Sequence, residues 1–188
     1  NFDETKLPEP AKLNLEVAKF AAGIEKRGFE SFRYYMGPFI QFYGTHLSFV
    51  NFLTDTHRLD NVKDAEDYIK RLSKVPLAID QLMVFEKRRA ANGIYSPKFV
   101  YEKTMLQLSS LIETPNKIHP LFVSFEESIK ELGISEEKQE SLLSELEEKI
   151  EKFKSSYANL KVLVEENSKN AREFDGVWSL PIGEDYYK

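Results

Sequence analysis

The chain has 188 residues, 41% apolar and 30% charged, with a formal net charge of −5, enough for one domain with a real core. Its basic residues are dispersed with no Lys/Arg stripe, which argues against nucleic-acid binding, because phosphate neutralisation needs a basic footprint. The absence of cysteine excludes disulfides, thiolate catalysis and cysteine-based metal sites, and no apolar run approaches the roughly 20 residues of a membrane-spanning helix.

Taken in chain order, the pattern predicts an all-α fold: a helical array with one long C-terminal helix and an aromatic-rich irregular connector. Segment 8–27 opens at Pro8-Glu9-Pro10 and repeats Leu13, Val17, Phe20, Ala21 and Ile24 at helical spacing, with Gly28 expected to break it. Residues 29–47 hold Phe29, Phe32, Tyr34, Tyr35, Phe39, Phe42 and Tyr43 without a clean period. They read as an irregular, largely buried connector, with a short helix from Ser48 to Leu53 after it.

Asp60-Asn61-Val62 opens the next helix, whose apolar face carries Tyr68, Ile69 and Leu72. Pro76 ends it near Lys74 and suits the first turn of a successor through Ile79, Leu82, Met83 and Glu86-Lys87-Arg88-Arg89, stopping at Asn92-Gly93. Ser96-Pro97 is a cap-then-proline restart for a helix to about Ile112, and Pro120 starts another that ends at Gly133. Ser135 then caps the longest helix, about Glu136 to Asn167, where Leu143, Leu146, Ile150, Phe153, Tyr157, Leu160 and Val164 alternate spacings of three and four. That seam describes either a homodimeric coiled coil or a helix lying in a groove of its own domain.

The final stretch, Gly176-Val177-Trp178-Ser179-Leu180-Pro181-Ile182-Gly183-Glu184-Asp185-Tyr186-Tyr187-Lys188, reads as a loop delivering a new helix at Pro181. The chain is therefore expected to be one helical domain, residues 1–188, forming the N-terminal portion of a longer protein. The first residues, Asn1 to Lys6, show no charged-then-apolar signal pattern, so a targeting segment would lie upstream.

Chemistry is sparse. His46, His57 and His119 have no carboxylate or second histidine at i+3 or i+4 on a shared helix face, so no metal ligand is assigned. His57 lies between Asp55 and Asp60, which could bind a metal or tune the imidazole, but the favoured reading is a polar turn whose Asp and Thr side chains satisfy backbone groups. The serines lack a strand–turn–helix elbow, and phosphate-cradling glycine loops are absent. No residue is assigned as catalytic. The candidates for a substrate cleft are Trp178, Tyr186, Tyr187 and His46. Trp178 is either a staple holding its loop to the body or a platform for a ligand, and two adjacent tyrosines at a helix start cannot both face the core, since neighbours point about 100° apart.

Three stretches carry a family resemblance: Gly44-Thr45-His46-Leu47-Ser48-Phe49 continuing to Asp64-Ala65-Glu66-Asp67-Tyr68-Ile69-Lys70-Arg71-Leu72, then Ala90-Ala91-Asn92-Gly93-Ile94 with Ser96-Pro97-Lys98-Phe99-Val100, and the closing Gly176–Tyr187 segment. In this order, over roughly residues 10–188, the sequence resembles the N-terminal region of the bacterial domain-of-unknown-function family 885. The resemblance implies a large, mostly helical, exported protein, periplasmic or anchored as a lipoprotein, similar to helical zinc metallopeptidases of carboxypeptidase-like type. In such a protein a His-Glu…Gly-His-His motif in the C-terminal half would hold zinc and activate water, and this chain contains no such motif. The expectation is thus a non-catalytic part of a peptidase, lining its substrate cleft, with no cofactor of its own and zinc in the C-terminal half. Its expected partners are that half and a peptide, with membrane contact only through an N-terminal lipid anchor upstream. The alternative is a non-enzymatic helical module that binds a peptide or a partner helix.

Overall fold

The computed structural model describes residues 3–173 and 176–187, and among them finds helices and turns with no strand. Seven α-helices follow in chain order: α1 (Glu9–Ser31), α2 (Thr45–Asn51), α3 (Val62–Leu72), α4 (Val75–Ala91), α5 (Lys98–Glu113), α6 (Pro120–Lys130) and α7 (Glu136–Ser168). The all-α expectation holds. At 33 residues α7 is the longest element, about 50 Å at 1.5 Å per residue, and α3, α4, α5 and α6 all pack along it.

The seam of α7 turns inward. Leu146, Ile150, Phe153, Tyr157, Leu160 and Val164 are all buried, joined by Leu142 and Leu163, while Leu143 is partly buried against the same core. The helix therefore lies in a groove of its own domain. Opposite it the core receives Tyr68, Ile69 and Leu72 from α3, Ile79 from α4, Tyr101 and Leu108 from α5, and Phe122, Phe125 and Ile129 from α6. The ends of these helices follow local chemistry. Asn61 accepts from the Asp64 N–H and Ser135 from the Lys138 N–H, capping α3 and α7. Pro76 sits in the first turn of α4, and Gly93, at φ 71°, takes the left-handed conformation that closes it.

Several local expectations are corrected. Gly28 does not break α1, which runs on to Ser31, because one helical glycine costs only about 1 kcal/mol relative to alanine. No residue of α1 is buried, and Leu13, Val17, Phe20 and Ile24 are 55–72% exposed, so its apolar stripe is unpartnered among the described residues. The connector is only partly buried: Phe32 and Phe39 are inside, but Phe42 and Tyr43 are exposed. The helix expected over Ser48–Leu53 starts earlier, at Thr45, and passes at Phe52–Thr56 into a π-helical turn. There the His57 N–H reaches back five residues to the Phe52 carbonyl at 2.8 Å, and the Thr54 hydroxyl donates to the Val50 carbonyl, the kind of back-bonding that distorts helix ends. Ser96 is not the cap of α5. Pro97 holds that place, and the Ser96 N–H donates to the Tyr101 hydroxyl instead.

The C-terminal segment forms two 3-10 turns, Val177–Ser179 and Gly183–Tyr187, in place of an α-helix from Pro181. Ile182, at φ 55°, interrupts the path with a left-handed residue that no helix continues through. Trp178 is 72% exposed, so it does not staple its loop to the body. No helix among the described residues is long and apolar enough to cross a membrane.

Candidate functional site

The C-terminal turns, the connector and the α4–α5 loop meet around a cavity of about 360 Å³, within the lower part of the range of small-ligand sites. Its walls include Tyr35, Met36, Tyr95, Val100, Leu180 and Tyr187, and Arg89 lies at its base. The base is a buried polar cluster. Arg89 and Glu86, both 2% exposed, pair one turn apart on α4, with Arg89 Nη1 2.8 Å from each Glu86 oxygen. Arg89 Nε–H donates to the Tyr34 carbonyl at 2.6 Å and ties the connector down. Asn167 of α7 donates to Glu86 at 3.3 Å, and the Tyr101 hydroxyl of α5 points to the same oxygen at 3.5 Å. Burial, then the Glu86 carboxylate, push the Tyr101 phenol above its ordinary pKa.

Such a pair survives inside a core only when its remaining hydrogen-bonding positions are satisfied, and here three helices and the connector supply the partners. The connector approaches so closely that a Cβ on Gly37 would collide with the Arg89 guanidinium. Above the cluster the Tyr35 hydroxyl is buried without a hydrogen-bond partner, and burial followed by the Asp185 carboxylate raises its pKa. At ordinary pH it is a protonated O–H, enclosed at the edge of the cavity that the Tyr35 side chain helps to line.

The sequence candidates divide around this cavity. Tyr187, 80% exposed, lines it. Tyr186 stacks on Tyr35 at 5.4 Å between ring centroids and meets Phe32 edge-on at 5.3 Å, so one tyrosine faces the body and its neighbour faces out. Trp178 stands on the adjacent turn with its ring against Gly176 and is not among the lining residues. His46 lies apart. It is fully buried, its Nε2–H donates to the Gln107 side chain at 3.1 Å, its Nδ1 has no partner, and burial lowers its pKa. His57 belongs to a turn, with Nε2–H donating to the Asp64 carbonyl and Nδ1 accepting from Arg71. Arg89, Glu86 and Tyr35 were not singled out from sequence, although a signal exists: Ile79, Leu82, Met83, Glu86 and Arg89 fall on one face of α4, which puts two charges at core positions.

No hydrogen bond among the described residues joins Ser96 or Ser179 to a histidine; the Ser179 hydroxyl donates to the Gly176 carbonyl. No three His, Asp or Glu among the described residues come together as metal ligands. What the arrangement offers is apolar walls and aromatic rings above a buried polar base, the elements of a binding surface.

The fold is that of a solved protein described as the putative lipoprotein from Colwellia psychrerythraea: TM-score 0.77 and 21% identity, covering 80% of this chain and 26% of that one. This chain thus corresponds to about a quarter of the length of that protein. Among curated proteins none matches it. The family model described as "Bacterial protein of unknown function (DUF885)" matches residues 1–188, and the chain therefore belongs to that family.

Proposed function

We propose that this chain is the N-terminal helical part of a zinc-dependent, carboxypeptidase-like peptidase of the bacterial envelope, where it builds one wall of the substrate cleft and performs no catalysis itself. The observation that carries the reading is the cavity under Tyr187, with aromatic walls and the unpartnered Tyr35 hydroxyl. Apolar side chains of a peptide suit Met36, Val100 and Leu180, and a peptide carbonyl that displaced the cover of the Tyr35 hydroxyl would give it the acceptor it lacks. The residues described here do not fit a zinc site, so no step through metal is derived from them. The metal and the base would come from the remainder of the parent protein, the main partner of this chain.

The experiment is zinc analysis and peptide hydrolysis by the parent protein, alongside Tyr35→Phe and Tyr187→Ala. The expected result is stoichiometric zinc, with KM raised about three- to tenfold and kcat preserved in both variants, the mark of lost binding common to ground and transition states. A parent without zinc or hydrolysis that still binds peptide through Tyr35 and Tyr187 would establish the second reading, a non-enzymatic peptide-binding module, which rests on the same cavity.

A further inference from the structure

On α1, Leu13, Val17, Phe20 and Ile24 follow one another at spacings of four, three and four, which puts them on one face of the helix. All four are exposed. Single exposed apolar residues need no explanation, whereas an aligned row of them marks an interaction surface. We propose that this row is the docking surface for the part of the parent protein that lies outside these 188 residues, which presents an apolar groove to it. This rests on the reading above only in taking the chain as part of a longer protein, and it holds whether or not that protein is a peptidase.

Three occupants compete for the face. A membrane surface is disfavoured by charge. Helices that lie on anionic membranes carry an excess of Lys and Arg on their polar face, but on α1 Glu9, Glu16, Glu25 and Glu30 cancel Lys12, Lys19, Lys26 and Arg27. At about 100° per residue, Glu9 and Glu16 flank the row, and the three lysines fall further round the helix. Lys12 and Lys19 are moreover paired with Glu9 and Glu4. A second copy is disfavoured by length. The next seam positions on either side are Pro10 and Arg27, so the row stops at about two heptads, short of the three or four of a self-sufficient coiled coil. The rest of the parent is the occupant that the comparisons support. The family model includes α1, since it matches from residue 1, so this helix belongs to the family's own fold. The solved protein with the same fold is covered over 26% of its length, which leaves most of such a protein to supply the missing face.

The chain has no cysteine, so one introduced thiol reports on one position. Phe20→Cys on the row and Lys19→Cys on the far side are made in the 188-residue chain and in the full-length parent, and alkylation of each site is timed by mass spectrometry. Phe20→Cys should react at least tenfold more slowly in the parent than in the 188-residue chain at every protein concentration, while Lys19→Cys reacts at one rate in both. Because Phe20→Cys removes part of the contact, the near-isosteric Ala21→Cys beside it repeats the measurement and should be slowed as well. Equal rates in parent and chain at both Phe20→Cys and Ala21→Cys would overturn the proposal, and equal slowing of Lys19→Cys would overturn the assignment to this face. So would slowing that appears only as concentration rises, which would place a second copy on the row, or only with phosphatidylglycerol vesicles, which would place it on a membrane. Slowing in a parent that holds no zinc and cleaves no peptide would uphold the docking and remove the peptidase reading.

Discussion

His119 shows how a titratable side chain can serve as backbone chemistry. Its Nδ1 accepts from the Leu121 N–H at the start of α6, and its Nε2–H donates to the Leu111 carbonyl near the end of α5, so one neutral imidazole satisfies orphan groups of two helices. Burial, aided by the Lys154 charge, pushes its pKa down to about 4. In the unfolded chain the imidazole takes its proton near the ordinary value of about 6.5. The folded pKa is the lower one, so the unfolded state binds the proton first on acidification. The stabilisation is complete above about pH 6.5 and is lost as pH falls through the window down to about 4. His46, also buried with a lowered pKa, contributes with the same sign. Urea denaturation from pH 8 to pH 4 should show stability falling across that window. His119→Asn should make the fall shallower while costing about 1 kcal/mol at pH 8 through the lost hydrogen bond. An unchanged slope in the variant would mean that His119 does not carry the effect.

At the scale of elements, α7 was the most legible because its message is redundant: seven apolar residues at alternating spacings of three and four leave one face for the core, whatever covers it. Ile150 and Phe153 are fully buried, so truncating either to alanine should destabilise the chain by about 2–5 kcal/mol in thermal or urea unfolding. A loss below about 0.5 kcal/mol at both would mean that the seam is not packed as described. Legibility failed where local preference was overruled or where two solutions were locally equivalent. Gly28 signals a stop, yet the favourable residues around it carry α1 to Ser31. Ser96 signals a cap, but Tyr101 five residues on offers its N–H a buried hydroxyl, and the helix starts behind Pro97. The π-turn has no period of its own, and only its Thr54 back-bond marks it. Of the sequence candidates only Tyr187 lines the cavity, and its buried base was missed. The partners of Glu86 and Arg89 come from Tyr34, Tyr101 and Asn167, positions far apart in sequence that only tertiary packing brings together.

At the scale of the whole molecule, packing is unevenly distributed. The core runs the length of α7 beneath α3 to α6, whereas α1 contributes no buried residue. Isolated helices are marginal in water, because nucleation is costly and most helical stability in proteins comes from burial of an apolar face. The stripe of α1, Leu13, Val17, Phe20 and Ile24, is exposed, so nothing among the described residues supplies that burial. Two consequences follow. Deleting residues 1–31 should alter the unfolding free energy by less than about 1 kcal/mol, as expected for a segment without buried contacts. Hydrogen exchange should find the α1 amides nearly unprotected while α5 and α7 exchange only through global opening. In a parent protein of the length seen in the Colwellia psychrerythraea relative, of which this chain matches 26%, the same amides should become protected if the added chain covers the stripe. Protection of α1 already present in the 188-residue chain, rising with concentration, would mean that a second copy occupies the stripe instead. Protection independent of concentration would contradict the exposed placement of α1 itself.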